Sequence, residues 1–390
     1  MEFRDASEYG DFRQEVRTFI DENLPTNWAG RSDMDDQEYA GETRKFWKAL
    51  ADKNWLAMAW PEEYGGMAAD HWQQLVMNEE MAYHRAPGAG ANMGIMWVGP
   101  SLMLYGTDEQ KDTHVSDIAG GDVWWCTLYS EPGAGSDLAS LQTRAVEDGD
   151  DYVINGQKIW TSGAHHSDWG WLAARTDPDA PKHKGITMFM FDMNSPGVTV
   201  RPLINMADSH SFNEVFFEDV RIPKTQVVGE VNRGWYHMAV ALDFERSGIS
   251  AFAGGRRSVE ELSQVARDNP QYLERNPGVR YDLADRSIEV KVGTYLAYRI
   301  THLQKQGVVA NYEASVSKLY GSELGQRIAA TGLKLIGNYG TLNGSDDGRT
   351  PLDGRLATSY RNAVSGTIAA GTSEIQRGII ATRGLGLPRQ

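Results

Sequence analysis

The sequence predicts an α+β protein that is mainly helical, with a β domain between two helical regions. Apolar residues recur at helical spacing in the first and last parts of the chain, and short apolar runs bounded by turn residues occupy the middle. Regular alternation of strand and helix patterns is missing, which argues against a parallel α/β sheet. The predicted boundaries are an N-terminal helical domain over residues 1–121, a middle antiparallel β domain over 122–232 and a C-terminal helical bundle over 233–390.

The first region begins with an amphipathic helix. Its apolar positions follow the i, i+4, i+7, i+8 spacing of one buried helix face, and they are Phe12, Val16, Phe19 and Ile20. Pro25 lies beyond the end of this helix. The pattern therefore predicts a helix that ends before residue 25.

A second helix signal stands at Thr107 and Gln110, which have the spacing of a capping box. The uncharged stretch before it, residues 86–107, is long enough to suggest a membrane span, but glycines and prolines interrupt it. We expect buried helix ends and turns there, and no membrane span.

The middle region carries turn signals between short apolar runs. Asp-Gly-Asp at 148–150 separates two such runs, and Asn-Gly at 155–156 separates residues 152–154 from 158–160. Asn-Gly between apolar runs predicts a β-hairpin. Further β-rich runs predict strands over 170–174, 186–191 and 215–217.

Helical periodicity returns in the last region. An apolar stripe runs through Trp235, Met238, Ala239, Leu242, Ile249 and Ala253. Ile328, Leu333 and Ile336 predict another helix, Thr372 opens the last one, and residues 344–351 are expected to form an exposed loop.

Composition excludes several functional classes. The net charge of −15 disfavours nucleic-acid binding, because an acidic surface repels phosphate backbones. Cys126 is the single cysteine, so neither an internal disulfide nor a thiolate metal cluster is possible, and this fits a cytoplasmic protein. On a strand, adjacent His165 and His166 would point apart, so no metal site is predicted. No Gly-x-Gly-x-x-Gly opens a helix, which disfavours a nicotinamide cofactor.

Two segments of the middle region suggest a cofactor site. Residues 129–137 read Tyr-Ser-Glu-Pro-Gly-Ala-Gly-Ser-Asp, and such a loop offers backbone N–H groups to an anion or to ring heteroatoms. Alone, it fits an ordinary turn of a β domain better than a binding site. Residues 155–163 read Asn-Gly-Gln-Lys-Ile-Trp-Thr-Ser-Gly, where a Trp can stack on a flat cofactor while a hydroxyl bonds its edge.

Together these segments resemble the acyl-CoA dehydrogenase family, and three more do so in the family's order. They are Tyr-Gly-Thr-Asp-Glu-Gln-Lys at 105–111, Val-Phe-Phe-Glu-Asp-Val-Arg-Ile-Pro at 215–223 and Ala-Gly-Thr-Ser-Glu-Ile-Gln-Arg at 370–377. The resemblance covers nearly the whole chain. It implies the family's fold, with FAD between the β domain and the C-terminal helices. It also implies α,β-dehydrogenation of an acyl-CoA to a trans-2-enoyl-CoA, with electrons passing to an electron-transferring flavoprotein.

The resemblance also implies which residues bind the cofactor and the thioester. The residues expected to contact FAD are Thr127, Tyr129, Ser130, Gly135, Ser136, Trp160, Ser162, Thr372 and Glu374. Lys334 and Gly337 lie in a stretch that resembles the one reaching the FAD of a neighbouring subunit. Ser136 also borders the path of the thioester, and the backbone N–H of Ala370 is expected to help bind the thioester oxygen.

The catalytic base is expected at an alternative position. Many family members carry a Glu immediately before the C-terminal Gly-Thr, where this chain has Ala370. Residues 242–246, Leu-Asp-Phe-Glu-Arg, resemble the branch in which this helix supplies the base, as in isovaleryl-CoA dehydrogenase. Glu245 also lies within the apolar stripe, and burial raises a carboxyl pKa toward the range of a base that works near neutrality.

Other roles for these side chains stay open. Glu245 could pair with Arg246 for packing alone. Asp243 and Arg246, which the resemblance implies to contact substrate or orient the base, could equally form an ion pair on a helix surface. The alternative functions are a non-catalytic subunit of a heteromeric dehydrogenase and an acyl-CoA oxidase. The helix-borne base favours a bulky or branched acyl group.

One family motif is missing. The Arg-x-x-Phe-Gly motif, whose Arg reaches the FAD pyrophosphate across a dimer interface, does not occur. Arg267, Arg275 or Arg280 could replace it in a homodimer or homotetramer, or a different chain could supply the cation in an α2β2 enzyme. The charge of Lys334, together with these arginines, favours the homo-oligomer.

Overall fold

The computed structural model describes residues 8–26, 28, 30, 36–88, 90, 92–241, 247–343 and 350–388. The chain folds as two compact units. The first unit comprises the described parts of Met1–Asp33, Asp70–Ala86 and Arg246–Gln390, and the second comprises those of Met34–Ala69 and Pro87–Glu245. The N-terminal helices are thus shared between the two units.

Along the chain, helices precede and follow the strands, as the sequence predicts. In chain order they are α1 (Gly10–Asn23), α2 (Asp36–Asp52), α3 (His71–Tyr83), α4 (Gly99–Tyr105), α5 (Asp108–Ala119), α6 (Gly234–Ala241), α7 (Ile249–Asp268), α8 (Pro270–Arg275), α9 (Val279–Lys305), α10 (Asn311–Ile336), α11 (Arg355–Gly366) and α12 (Ser373–Ile379). The strands are β1 (Trp125–Leu128), β2 (Arg144–Asp148), β3 (Asp151–Lys158), β4 (Trp169–Arg175), β5 (Ile186–Asp192), β6 (Val198–Ile204), β7 (His210–Pro223) and β8 (Val227–Val228).

The predicted helix signals lie where the structure has helix ends and buried faces. Helix α1 buries Val16, Phe19 and Ile20. Thr107 caps α5, and both hydrogen bonds of its capping box with Gln110 are present. In the stretch 86–107, the described residues form a π-helical turn over Gly94–Val98 and then α4. Within the described ranges, we find no helix with the length and apolar character that a membrane crossing requires.

The sheet belongs to the second unit and has the strand order β6-β7-β3-β2-β4-β5-β8, with β1 beside β4. It is mixed, whereas the sequence predicted an antiparallel domain. Strand β1 pairs with β4 in parallel, and β2 meets β4 in parallel at Arg144 and Arg175. A parallel pair needs a long crossover connection, and here the intervening β2–β3 hairpin provides it.

The Asn-Gly hairpin prediction is wrong, whereas a hairpin does form at Asp148-Gly149-Asp150. Strand β3 runs straight through Asn155, and its pairing with β7 shifts register there. The Asn155 side chain exchanges hydrogen bonds with Asp219 on β7. A Cβ at Gly156 would lie 2.7 Å from Oγ1 of Thr143, so this glycine permits close approach at a bulge.

Each unit has its own apolar core. In the first unit, α3, α7, α9 and α10 pack around residues that include Trp72, Phe252, Leu262 and Leu324. In the second unit, the sheet packs around residues that include Leu128, Ile154, Phe189 and Phe217.

A buried carboxylate joins α1 to α3 in the first unit. Glu80 on α3 has no exposed side-chain surface, and it pairs with Arg13 and with Arg17, whose Nε lies 2.8 Å away. Glu79 lies 2.8 Å from the second guanidinium nitrogen of Arg13. Burial opposes the ionisation of Glu80, but hydrogen bonds from His84, Arg17 and Arg13 outweigh it and lower its pKa from 4.5 to about 2.

We predict that Glu80→Gln destabilises the first unit by about 3–5 kcal/mol, because it removes the buried carboxylate charge that Arg13 and Arg17 share. The matched control is Glu147→Gln, whose partner Lys224 and own carboxylate are both exposed, and which should cost at most about 1 kcal/mol. Thermal unfolding measures both changes. Equal shifts in the two variants would contradict a dominant role for the buried pair.

The same carboxylate predicts a pH dependence. Its folded-state pKa lies below the ordinary value, so its contribution is present above pH 4.5 and is lost as the pH falls toward 2. The shift corresponds to about 3 kcal/mol. The free energy of unfolding of wild type should fall between pH 4.5 and 2, whereas that of Glu80→Gln should change less over the same range.

Candidate functional site

The first predicted segment leaves the sheet at the end of β1. Thr127 is paired with Trp171 of β4, and the buried Trp171 indole donates a hydrogen bond of 2.9 Å to the Tyr129 hydroxyl. Burial raises the pKa of Tyr129, which keeps its hydroxyl protonated. The ring of Trp97 meets that of Tyr129 edge-on at 5.8 Å. Tyr129 is therefore held on two sides where the loop begins.

The loop itself is a tight turn followed by an open glycine segment. Glu131 and Ala134 exchange two backbone hydrogen bonds of 3.1 and 3.0 Å. Gly135 and Ser136 are exposed, and a Cβ added at Gly135 would meet nothing within 4 Å. The loop thus leaves space beside its backbone for a bound group.

A buried lysine holds the start of this loop by hydrogen bonds. Lys158, at the end of β3, has no exposed surface, and its ammonium donates to Glu131 Oε1 at 2.8 Å and to the carbonyl of Tyr129 at 3.0 Å. The Glu131 carboxylate also accepts the backbone N–H groups of Gln142 and Thr143. Burial lowers the pKa of Lys158 to about 8, against the opposing charge of Glu131.

The second predicted segment presents an aromatic face. Trp160 is 54 % exposed and adopts a φ of +61°, a conformation that is costly for a bulky side chain. The next residue, Thr161, exchanges two backbone hydrogen bonds of 3.1 Å with Asn213 of β7. The fully buried Asn213 side chain donates a further bond to the Thr161 carbonyl. These bonds hold the strained segment in place.

The structure brings the two segments together. The N–H of Ile159 donates to the carbonyl of Ser130 at 2.9 Å, and Lys158 joins the same two stretches. Ser162 is exposed like Trp160 and Ser136. A flat aromatic face, hydroxyl groups and an open glycine loop fit a planar ring with heteroatoms along its edge, such as the isoalloxazine of FAD.

The sequence predicts that His165 and His166 point apart, and this prediction is wrong. They lie in a single 3-10 turn, Ala164–His166, with ring centroids 4.1 Å apart. His165 also stacks on His210 at 3.8 Å and contacts the Asn213 side chain at 2.9 Å. The cause is the turn that follows Gly163, which is not a strand.

The first unit contains a groove of about 650 Å³ beside the C-terminal motif. Its lining includes hydroxyl, amide and charged groups, namely Glu323, Gln326, Arg327, Ala330, Tyr360, Thr367, Ile368, Thr372, Ser373, Glu374 and Arg377. The two arginines are matched by two carboxylates, and Arg377 pairs with Glu323 at 2.5 Å. Thr372 caps α12 by accepting the N–H of Ile375. Thr372 and Glu374 thus lie together in a groove of polar groups without net charge.

The backbone before α12 is strained. Ala370 has a φ of +52° and Gly371 a φ of +85°. The Gln376 side chain donates to the Ala370 carbonyl at 3.1 Å. Among the described residues, no acceptor binds the N–H of Ala370, which is exposed. This N–H can therefore donate to a bound ligand.

Of the residues expected to act across a subunit interface, Lys334 already forms an ion pair and the others are exposed. Lys334 is paired with Asp282 at 2.6 Å, and Gly337 follows the end of α10 with a φ of +70°. The arginines considered as replacements for the missing motif are all exposed at their helix ends, and they are Arg267, Arg275 and Arg280.

The predicted base and its neighbours Asp243 and Arg246 lie outside the described residues. Helix α6 ends at Ala241, and the described chain resumes at Ser247, shortly before α7. The role of Glu245 therefore stays a prediction.

Sequence reasoning missed the residues that support the site. One signal was available for Lys158, because it shares the even-numbered, buried face of β3 with Tyr152 and Ile154. A lysine on that face requires a buried partner. No comparable signal marks Glu131 or Asn213, since their partners are distant in the sequence.

Comparison with known proteins identifies matching family models along the chain. They are the N-terminal domain of acyl-CoA dehydrogenase over residues 6–122, the middle domain over 126–220 and the C-terminal domain over 232–385. Acyl-CoA dehydrogenase FadE34 of Mycobacterium tuberculosis is 38 % identical over 87 % of this chain. The chain spans about half of that relative, 46 % of its length.

Two solved structures resemble the whole chain. The structure titled Tcur3481-Tcur3483 steroid ACAD is 34 % identical, covers 100 % of both chains and has a TM-score of 0.89. The ChsE4-ChsE5 complex from Mycobacterium tuberculosis is 32 % identical, also covers 100 % of both chains and has a TM-score of 0.87.

We predict that Lys158→Met lowers the stability of the second unit by about 3–5 kcal/mol, because it leaves the Glu131 carboxylate buried without a cation. Replacing both residues, as Lys158→Met with Glu131→Leu, should recover much of that loss. The control is Lys182→Met, which removes an exposed lysine bound to Asp137 of the same loop and should cost at most about 1 kcal/mol. Thermal unfolding compares the variants, and equal costs for the two single lysine changes would refute the support role.

Proposed function

We propose, from the premise that this chain belongs to the acyl-CoA dehydrogenase family, that it converts an acyl-CoA to a trans-2-enoyl-CoA with FAD as cofactor. Electrons then pass to an electron-transferring flavoprotein. The chain is an enzyme of the acyl-CoA dehydrogenase class. The observation that carries the finer proposal is the joined pair of segments at 129–137 and 155–163, with its exposed Trp160.

The reaction removes a proton from Cα and a hydride from Cβ of the thioester. We assign proton removal to the carboxylate of Glu245, the acid that this chain offers at the helix-borne position of the family. When bound, FAD supplies the acceptor for the hydride. Asp243 and Arg246 are proposed to contact the substrate or to orient the base.

The thioester oxygen gains negative charge as the Cα proton leaves, and hydrogen bonds to that oxygen lower the barrier. Ala370 offers a backbone N–H that no described residue accepts. Ala370 has a left-handed φ, and the Gln376 side chain binds its carbonyl. We therefore assign to Ala370 the donation of a hydrogen bond to the thioester oxygen, with Ser136 beside the thioester path.

The residues proposed to hold FAD fall into two groups. Thr127, Tyr129, Ser130, Gly135, Ser136, Trp160 and Ser162 belong to the second unit, whereas Thr372 and Glu374 belong to the first. The groove around Thr372 carries no net charge, and Lys334 is already paired with Asp282. A diphosphate needs a cation from elsewhere, as the missing Arg-x-x-Phe-Gly motif also indicates.

Because Lys334 is already paired, these charges favour an assembly in which a different dehydrogenase-like chain completes the cofactor site, in place of the homo-oligomer that the sequence favoured. Two of the solved structures that resemble this chain bear paired protein names, one of them titled as a complex. We propose an α2β2 enzyme in which this chain carries Glu245. A homo-oligomer that uses Arg267, Arg275 or Arg280 is the outcome that would contradict this.

The substrate is proposed to be a bulky acyl-CoA. The helix-borne base favours bulky or branched acyl groups, and one neighbour is titled a steroid ACAD. Anaerobic flavin bleaching by butyryl-CoA, octanoyl-CoA, isovaleryl-CoA and a steroid side-chain acyl-CoA tests this preference, and the bulky acyl groups should bleach the flavin fastest. If the yellow colour of the bleached flavin returns only slowly in air, the enzyme is a dehydrogenase and not an oxidase.

For the assembly, we predict that the chain expressed alone holds little flavin, and that co-expression with its partner gives a yellow complex that binds FAD without a covalent bond. The flavin-to-chain ratio and the mass in solution measure this. One FAD per chain in a homodimer or homotetramer would overturn the heteromeric arrangement. A protein that binds no FAD with any partner would overturn the cofactor assignment.

For the base, we predict that Glu245→Gln keeps its FAD but loses at least about 10²-fold in turnover, the usual cost of removing a general base. Glu147→Gln, far along the chain on the β2–β3 hairpin, is the control and should keep full turnover. Turnover of Glu245→Gln within about tenfold of wild type, or about 1.4 kcal/mol of barrier, would place the base elsewhere.

A further inference from the structure

The connection between α11 and α12 is short, and one lysine binds both of its ends. Residues 367–372 link Gly366 at the end of α11 to Ser373 at the start of α12. The ammonium of Lys318, on α10, donates to the carbonyl of Gly366 at 3.1 Å and to that of Gly371 at 2.6 Å. The two carbonyls are five residues apart, so this side chain bridges the loop that contains Ala370, beside the backbone hydrogen bond of 3.0 Å from the Ser373 N–H to the Thr367 carbonyl.

This contact has no carboxylate in it. Among the described residues, no Asp or Glu forms an ion pair with Lys318, which is half-buried. Burial lowers the pKa of Lys318. The charge is thus solvated largely by backbone carbonyls of the loop, and moving these carbonyls away would leave the ammonium poorly satisfied. Lysine and loop therefore constrain each other.

The constrained loop contains an unfavourable backbone conformation. A left-handed φ at Ala370 costs about 1–3 kcal/mol and persists only where the surroundings impose it. Gln376 binds the Ala370 carbonyl, and Lys318 binds the next carbonyl, that of Gly371. These two carbonyls orient the peptide planes that follow Ala370. The Ala370 N–H belongs to the preceding peptide, and just before it the N–H groups of Ile368 and Ala369 donate to the Ser365 carbonyl. The direction of the Ala370 N–H is thus constrained from both sides.

We infer that Lys318 is a positioning residue, which holds the 367–372 loop so that the N–H of Ala370 points at the thioester oxygen. The inference rests on the proposed function. A donor of this kind acts only within about 2.7–3.1 Å of the place that the charged oxygen reaches. A displacement of about 1 Å can cost 10²-fold in rate, so the tether affects the chemical step more than substrate binding.

The experiment uses the enzyme as assembled with its FAD and compares Lys318→Met, Lys318→Arg and the control Lys291→Met. Lys291 is an exposed residue of α9 that lies over the ring of Tyr295. The probe is the acyl-CoA of the panel that bleaches the wild-type flavin fastest. Flavin content, thermal unfolding, kcat, KM and exchange of the Cα hydrogen in D2O are measured for each variant.

Lys318→Met is expected to lose about 10–100-fold in kcat and in Cα exchange, while KM and flavin content stay within about threefold. Lys318→Arg, which keeps the charge and the donors, should recover part of the loss, and Lys291→Met should match wild type. A kcat for Lys318→Met within about threefold of wild type overturns the inference. So does a loss confined to KM or to flavin content.

If Lys318→Met does not fold, Gln376→Leu and Lys318→Arg decide the question. Gln376→Leu removes the neighbouring tether and is expected to lower kcat and Cα exchange without changing KM. Full activity of Gln376→Leu would overturn the inference. The two proposals fail differently. An active wild type with an equally active Lys318→Met overturns only the role of Lys318, whereas a wild type that bleaches with no acyl-CoA and exchanges no Cα hydrogen overturns both.

Discussion

The ammonium group of Lys158 lies out of contact with water, and the candidate cofactor loop takes its shape from the acceptors that this charge requires. The carboxylate of Glu131 and the carbonyl of Tyr129 surround it, so the start of the loop cannot move without exposing or unpairing a charge. The same carboxylate binds two backbone N–H groups. One ion pair thereby connects β1, β3 and the start of β2, and it lies where the Ile159 N–H, next to Trp160, donates to the Ser130 carbonyl.

In the first unit, too, buried or half-buried charges require partners, and two kinds of partner occur. Glu80 is compensated by arginines on α1, which ties the first helix to α3. Lys318 is compensated by carbonyls, because its contacts are Gly366 and Gly371. The difference has a functional consequence. The Glu80 pairs mainly add stability by joining two helices, whereas a lysine bound to carbonyls dictates where the peptide groups of a loop lie.

Backbone strain occurs at both places where the chain is proposed to meet its ligands. Trp160 and Ala370 both adopt positive φ values although neither is glycine. A buried side chain donates a hydrogen bond at each place: Asn213 to the carbonyl of Thr161, next to Trp160, and Gln376 to the carbonyl of Ala370. Strain that persists only because the surroundings impose it gives a rigid site, and rigidity suits a site that must place hydrogen-bond donors accurately.

The sequence by itself determined the elements whose signals are local. The spacing of Val16, Phe19 and Ile20 sufficed for α1, and Thr107 and Thr372 marked helix starts because a cap acts within four residues. The order of the sequence motifs was enough to identify the protein family. Only the tertiary structure decided the rest. Asn155 lies in a continuous strand because Asp219, distant along the chain, binds it. The β1–β4 parallel pair, the Lys158–Glu131 pair and the Lys318 tether likewise join residues remote in sequence, whose meeting no local pattern encodes.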